Sequence, residues 1–331
     1  MSNQIAAIET DVLDMFEESE SLICLLPRYA KVRRFVSPIG RAYAVLGGEY
    51  QTPQFNFGLT TWLSMSDDCR DEDLIQYFNQ KYGLDAPRML REKADFGTLG
   101  HELTGTLFTQ KYIDTGTSFS KRIRIFMEEK GLPMYKFDQF VDTQAAYMFS
   151  MSCFAHERNF NCFAIEMPTT DFDKGITTCI DAIGEMDDID AKGNVLGRIN
   201  VTINFKFRDN PACYSKDIAQ TNIEKFMLED LIEAGFTKMP FKNQNVNKSF
   251  ILCPKKVTTR TRDNYLLVDT TGKYSREDYD FAHIVRQKSK EKPLEVKLDN
   301  FYPKYRHTRL IVGQKPEFES LRQRLENMFL D

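Results

Sequence analysis

The chain is short of several things, and each shortage excludes something. No apolar run approaches the roughly 18–20 residues that a membrane-crossing helix needs, so no membrane span is expected. The seven cysteines are an odd number and include no CxxC pair. That argues against a disulfide framework or a structural zinc quartet and suits free thiols in a reducing compartment. Histidine is scarce, with four in all, so each can be weighed singly. There is no GxGxxG fingerprint and no GxxxxGK[ST] loop to cradle phosphates. A GxSxG elbow is missing and no cysteine has an evident histidine partner, which leaves serine- and cysteine-nucleophile chemistry without support. No internal repeat or low-complexity linker is visible. The opening MSNQIAAIETDVLDMFEESE is acidic and lacks the basic region and apolar core of a signal peptide, so a cytoplasmic location is expected.

What is present is ordinary in bulk. The 331 residues can bury one large core or two modest ones, and 42% hydrophobic with 28% charged residues is usual for a globular protein. The net charge of −4 gives no global sign of nucleic-acid binding, but it is unevenly spread. Between Cys253 and Lys315 there are 15 Lys/Arg against 8 Asp/Glu, a local balance of about +7 that leaves about −11 for the remainder. Lys255, Lys256, Arg260 and Arg262 cluster, as do Arg286, Lys288, Lys290 and Lys292, and then Lys304, Arg306 and Arg309. Such clusters either follow a phosphate backbone or form a solvated lysine-rich surface.

Periodicity and breakers outline the elements. Residues 5–16 have helical spacing, and the chain then turns irregular to about 35. Short extended segments are expected at 41–45 and 55–63 around the Gly47-Gly48 turn. Residues 71–82 read as a helix with an acidic first turn, ended by Gly83. Asp85 and Pro87 restart a helix that should carry residues 96–103 despite Gly97 and Gly100. Helices at 118–130 and 137–159 follow, then a strand at 160–167 ending at Glu166. Short strands are expected at 250–253 and 265–269, and helices at 276–287 and 317–330. The order predicts one mixed α/β domain with a helical N-terminal part.

Residues 175–226 are the most informative stretch. Two apolar-alternating segments flank the turn-rich DIDAKGN, which reads as a β-hairpin. Along the second, Ile199, Val201, Ile203, Phe205 and Phe207 fall on one face and Asn200, Thr202, Asn204, Lys206 and Arg208 on the other, as a half-buried strand requires. With the turn centred near Ala191 and Lys192, Asp181 lies across from positions 202 to 204. Asp181, Asn204 and Lys206 then become neighbours on one face, and residues 214–235 follow as a helix. Taken singly the candidates are unremarkable. A lone helical histidine such as His101 is more often structural, His156, His283 and His307 have no partner at ligand spacing, and Glu166 or Asp181 alone would more often be a surface acid.

Taken in order, Gly97 with His101 as GxxxH, Glu166, Asp181, the Asn204-Phe205-Lys206 triplet and Gln220 resemble the motifs of the PD-(D/E)XK nuclease superfamily. The likeness is to its RecB-like exonuclease branch of phages and recombination proteins. Leu59-Thr60-Thr61-Trp62-Leu63-Ser64 is similar to the TT-x-L-S segment of that branch. The resemblance covers about residues 40–235. It implies a restriction-endonuclease-like fold, a mixed sheet flanked by helices, with residues 40–235 as nuclease core and 236–331 as a basic C-terminal extension of a single domain. It implies a metal-dependent DNA exonuclease or end-processing nuclease of phage-type replication or recombination, acting on single strands or duplex ends, with a replication or recombination protein as a further partner. Mg²⁺ or Mn²⁺ would be held by His101, Asp181, Asn204 and the carbonyl of Phe205. Lys206 would act on the water and phosphate, with Glu166 and Gln220 completing the catalytic set. Lys255, Lys256, Arg260, Arg262, Lys304, Arg306 and Arg309 are the candidate DNA contacts.

The chemistry agrees. Phosphodiester hydrolysis needs a nucleophilic water, neutralised phosphate charge and help for the leaving oxygen, much of which a divalent ion supplies. An imidazole beside carboxylate oxygen leans toward Mn²⁺. The sequence departs from the family at Asn204, which stands where an acid is usual and keeps a carbonyl oxygen without the charge. Two readings stay open: a change introduced to trap an inactive enzyme, or a natural relative that is weakened or only binds DNA. Glu224 stands where a tyrosine usually follows the glutamine, and no cysteine quartet matches the iron–sulfur version of the branch. The rival expectations are a non-catalytic DNA-binding or structural protein on the same fold, and a plain α/β interaction module.

Overall fold

The computed structural model describes residues 29–37, 40–47, 50–64, 72–111, 116–208, 213–241, 243–256, 264–280, 294–297 and 309–312. The helices expected at 5–16 and 317–330 fall outside these residues, as do Arg260, Arg262, Lys304, Arg306 and the cluster at 286–292.

Three antiparallel strands come first, β1 (Tyr29–Ser37), β2 (Gly40–Gly47) and β3 (Tyr50–Gly58). Helices α1 (Leu59–Ser64), α2 (Glu72–Tyr82), α3 (Ala86–Gln110), α4 (Thr117–Glu129) and α5 (Phe137–Glu157) follow. Then come β4 (Asn161–Asp171), β5 (Ile176–Ile189), β6 (Val195–Phe205), α6 (Ser215–Glu233), β7 (Lys248–Pro254) and β8 (Tyr265–Asp269). A separate two-stranded ribbon pairs β9 (Leu294–Lys297) with β10 (Arg309–Val312).

The result is an α/β protein on a mixed eight-stranded sheet of order β1-β2-β3-β5-β6-β7-β8, with β4 also paired to β5. β5 is long enough, at 14 residues, to be shared. One edge takes β4, antiparallel, from Ile176 to Glu185. The other edge is split: β3 pairs, parallel, with Ile176 and Thr177, and β6 pairs, antiparallel, from Ala182 onward. On that edge residues 178–181 of β5 lie between two strand ends, outside either ladder.

Helices cover both faces. Leu99, Leu103 and Leu107 of α3 recur at helical spacing, as do Phe119, Ile123 and Phe126 of α4, and they pack with Tyr147, Met151 and Phe154 of α5 against Ala182, Val201, Ile203 and Phe205 of the sheet. Each such fully buried side chain contributes about 1.5–3 kcal/mol relative to exposure. Across the sheet, Leu59, Trp62 and Leu63 of α1 meet Ile223 and Met227 of α6, with Ile176 and Tyr279. Leu228 of α6 packs with Ile180 and Ile183 nearby.

Four expectations are corrected. Residues 29–35, expected to be irregular, lie in strand β1, while the helical part expected ahead of the hairpin is present as α2 to α5. Residues 59–63 are helical rather than extended, because Leu59, Trp62 and Leu63 sit at i, i+3 and i+4 and bury together. β6 is not half-buried: Asn200, Thr202 and Asn204 are as buried as their apolar neighbours, with Asn204 bonded to Glu224 of α6 and Asn200 to Asn243 and Asn245. β4 also runs past Glu166, to Asp171.

Candidate metal centre

The hairpin sets the register. Asp190 closes the turn, its Oδ1 accepting from the backbone N–H of Lys192 and of Asn194 at 2.8 Å each. Back along the strands Ala182 pairs with Ile203, so Asp181 arrives beside Asn204. There the ladder stops. Phe205 N–H donates instead to Asp181 Oδ2, at 2.6 Å, a strong charge-assisted bond that fixes the carboxylate in the gap beyond β3. Across the β4 ladder Ile165 pairs with Ala182 and Met167 with Ile180, so Glu166 faces Asp181 directly. Glu166 has φ of +49°. That backbone is rare for a residue with a Cβ and costs on the order of 1–3 kcal/mol.

His101 reaches the same point from α3. Its Nδ1 lies 3.3 Å from Glu166 Oε1 and 3.5 Å from Asp181 Oδ1, yet it is buried and makes no hydrogen bond: the carboxylates are near but not in line with it. One ligand atom from each of the three residues falls within 4.8 Å of the others. Phe207 braces the imidazole edge-on at 5.3 Å. The ring of Phe207 in turn lies where a Cβ on Gly100 would stand, 2.7 Å away, whereas nothing lies within 4 Å of a Cβ on Gly97. The glycine that the packing demands is thus Gly100.

Lys206 follows the end of β6. Its Nζ donates to Gln220 Oε1 at 3.1 Å and lies 3.6 Å from Asp217. Asp217 also binds Arg208 at 2.8 Å and accepts from the Tyr214 N–H at the start of α6, where the helix dipole favours an acid. Gln220 Nε2 donates to Glu224 Oε1 at 2.8 Å, Thr178 Oγ1 donates to the same oxygen at 3.0 Å, and Asn204 Nδ2 donates to Glu224 Oε2 at 3.0 Å. Asn204 Oδ1 is buried with no partner.

The electrostatics follow from burial. Burial raises the pKa of Asp181, and the charge of Glu166 adds to it, against the pull of His101 and Lys206. Burial also pushes Glu224 up to about 7, with Asp181 contributing. Burial opposes charging of His101, but Asp181 and Glu166 outweigh it and its pKa is raised.

His101, Glu166, Asp181, Asn204, Phe205, Lys206 and Gln220 are therefore brought to one place. Lys255 and Lys256 begin the connection beyond β7, whose Leu252 pairs with Phe205 and accepts from the Lys206 N–H. β6 and β7 are parallel, so these lysines leave from the same end of the sheet as Lys206. Arg309 opens β10, in the separate ribbon. His156 sits in the last turn of α5. Sequence reasoning missed Asp217 and Glu224 as site residues. Their signal was present: Asp217, Gln220 and Glu224 lie at i, i+3 and i+7, one face of one helix.

No protein-family model matches the chain, and no curated protein matches it.

Proposed function

We propose that the chain is a metal-dependent DNA phosphodiesterase on a restriction-endonuclease-like fold, an exonuclease or end-processing nuclease of phage-type replication or recombination. The observation that carries this is the convergence of His101, Glu166 and Asp181, from α3, β4 and β5, within 4.8 Å at a gap in the sheet. The donor set fits Mn²⁺ or Mg²⁺, since imidazole with two carboxylates suits Mn²⁺ and carboxylates suit both. Among the buried polar atoms of the described residues that make no hydrogen bond are His101 Nδ1 and Asn204 Oδ1; an ion would satisfy them.

His101, Glu166 and Asp181 would hold the ion, with Asn204 Oδ1 and the Phe205 carbonyl as further oxygen donors. When bound, the ion supplies phosphate charge neutralisation and a water of lowered pKa. Phe205 N–H keeps Asp181 Oδ2 engaged, which turns Oδ1 toward His101. Lys206, steadied by Gln220 and Asp217, would orient the water and meet charge developing on the phosphate. Lys255 and Lys256 support a DNA path leaving the sheet on the Lys206 side. Asn204 alone favours the rival reading, a non-catalytic DNA-binding protein.

The test is calorimetric titration with Mn²⁺ and Mg²⁺, followed by incubation with linear single-stranded and duplex DNA. Saturable uptake that His101→Ala abolishes, with metal-dependent loss of DNA ends, is expected. Uptake without cleavage of any substrate would leave the non-catalytic reading, and no uptake would end the metal-centre reading.

A further inference from the structure

We propose that Asn204 and Glu224 act as one unit of the metal centre: Asn204 offers the oxygen, and Glu224, a positioning residue behind it, supplies the negative charge that asparagine lacks. This rests on the metal-centre reading above. The argument runs along the order of donors and acceptors. Lysine carries donors only, so Lys206 meets the oxygen end of the Gln220 amide. The nitrogen end of that amide must then donate, and Glu224 Oε1 receives it, together with the hydroxyl of Thr178. The other carboxylate oxygen of Glu224 accepts from Asn204 Nδ2. Asn204 therefore turns its nitrogen to Glu224 and is left presenting Oδ1, fully buried and without a partner among the described residues.

An aspartate could not take this place unchanged. A carboxylate has no donor for Glu224, and it would set two buried anionic oxygens about 3 Å apart. The acid on α6 thus calls for an amide on β6. The usual strand carboxylate has become a strand amide backed by a helix carboxylate, one hydrogen bond further out. On this account Asn204 belongs to the site as it stands, and Asn204→Asp alone is a damaging change rather than a repair.

A residue exchange tests this. Asn204→Asp, Glu224→Gln and the double variant Asn204→Asp/Glu224→Gln are compared with the unaltered protein by thermal melting in EDTA and by calorimetric titration with Mn²⁺ alone. The double variant keeps one carboxylate and one hydrogen bond between the two positions, with donor and acceptor exchanged. Asn204→Asp should melt several degrees lower in EDTA. Glu224→Gln should weaken Mn²⁺ binding about tenfold or more, the scale on which residues that orient a ligand act. The double variant should recover both, which a merely structural Glu224 would not do. A double variant that melts no higher than Asn204→Asp and binds Mn²⁺ no better than Glu224→Gln overturns the pairing. Failure of the underlying reading looks different: the unaltered protein then takes up no Mn²⁺ at all.

Discussion

Alanine at position 100 should loosen the candidate centre without altering any of its polar atoms. Gly100 lies inside α3, next to His101. On helix propensity alone, glycine to alanine gains about 1 kcal/mol. At this position the new methyl would stand 2.7 Å from Cγ and Cδ1 of Phe207 and 2.9 Å from Cδ2, where carbon contacts are normally about 3.5–4.0 Å. The crowded atoms are at the root and flanks of the ring, so the ring must move as a whole. Overpacking of this kind costs about 1–3 kcal/mol, and the net loss is up to about 2 kcal/mol. Gly97 is the internal control. It lies in the same helix and a Cβ there meets nothing within 4 Å, so Gly97→Ala keeps the gain. The two variants should differ by about 1–3 kcal/mol in urea unfolding in EDTA. Phe207 also packs against Tyr147 at 5.7 Å and His101 at 5.3 Å, so Gly100→Ala should weaken Mn²⁺ uptake as well. Equal stabilities, or a more stable Gly100→Ala protein, would refute the packing argument.

Three further outcomes are expected. Glu224, Asp181 and His101 all have raised pKa values; groups raised on folding stabilise fully below their unfolded values and cease to do so as pH rises through the folded ones. The metal-free protein should therefore lose stability from about pH 5 to about pH 8, with Glu224 contributing on the order of 2 kcal/mol; urea midpoints that rise with pH would contradict this. Lys206→Ala should leave Mn²⁺ affinity within a few-fold of the unaltered protein while stopping cleavage of linear DNA, so joint loss of both would recast the lysine as part of the metal-holding set. DNA affinity should fall steeply with salt, and Lys255→Glu/Lys256→Glu should flatten that dependence, as read by fluorescence anisotropy.

The hairpin was legible because both its signals are local. Alternation from Ile199 to Arg208 fixes the strand, and Asp190 with Gly193 fixes the turn, so the approach of Asp181 to Asn204 follows by counting. The helices α2 to α5 were legible from caps, breakers and apolar spacing. The covering of Asn200, Thr202 and Asn204 was not. A polar strand face reads as solvated unless its partners are known, and here Asn204 meets Glu224 of α6 while Asn200 meets Asn243 and Asn245. Buried polar groups find such partners in other segments, and neither side alone betrays it. Residues 59–63 read as the end of an extended segment, where burial of Leu59, Trp62 and Leu63 decided for helix. The positive φ of Glu166 has no sequence signal at all, since glutamate is not a residue that invites it.

The split edge of β5 has a consequence for how the molecule opens. Among the described residues, the three-stranded meander β1–β3 is joined to the rest of the sheet through two ladder pairs, Phe57 with Ile176 and Gly58 with Thr177, helped by the Asn56 amide on the Thr177 hydroxyl at 2.9 Å. β5 and β6, by contrast, are laddered from Ala182 to Ile189. Cooperative units divide where few bonds cross, and the seam falls beside residues 178–181, where Asp181 sits. The amides of that short seam should therefore exchange ahead of those in the long β5–β6 ladder.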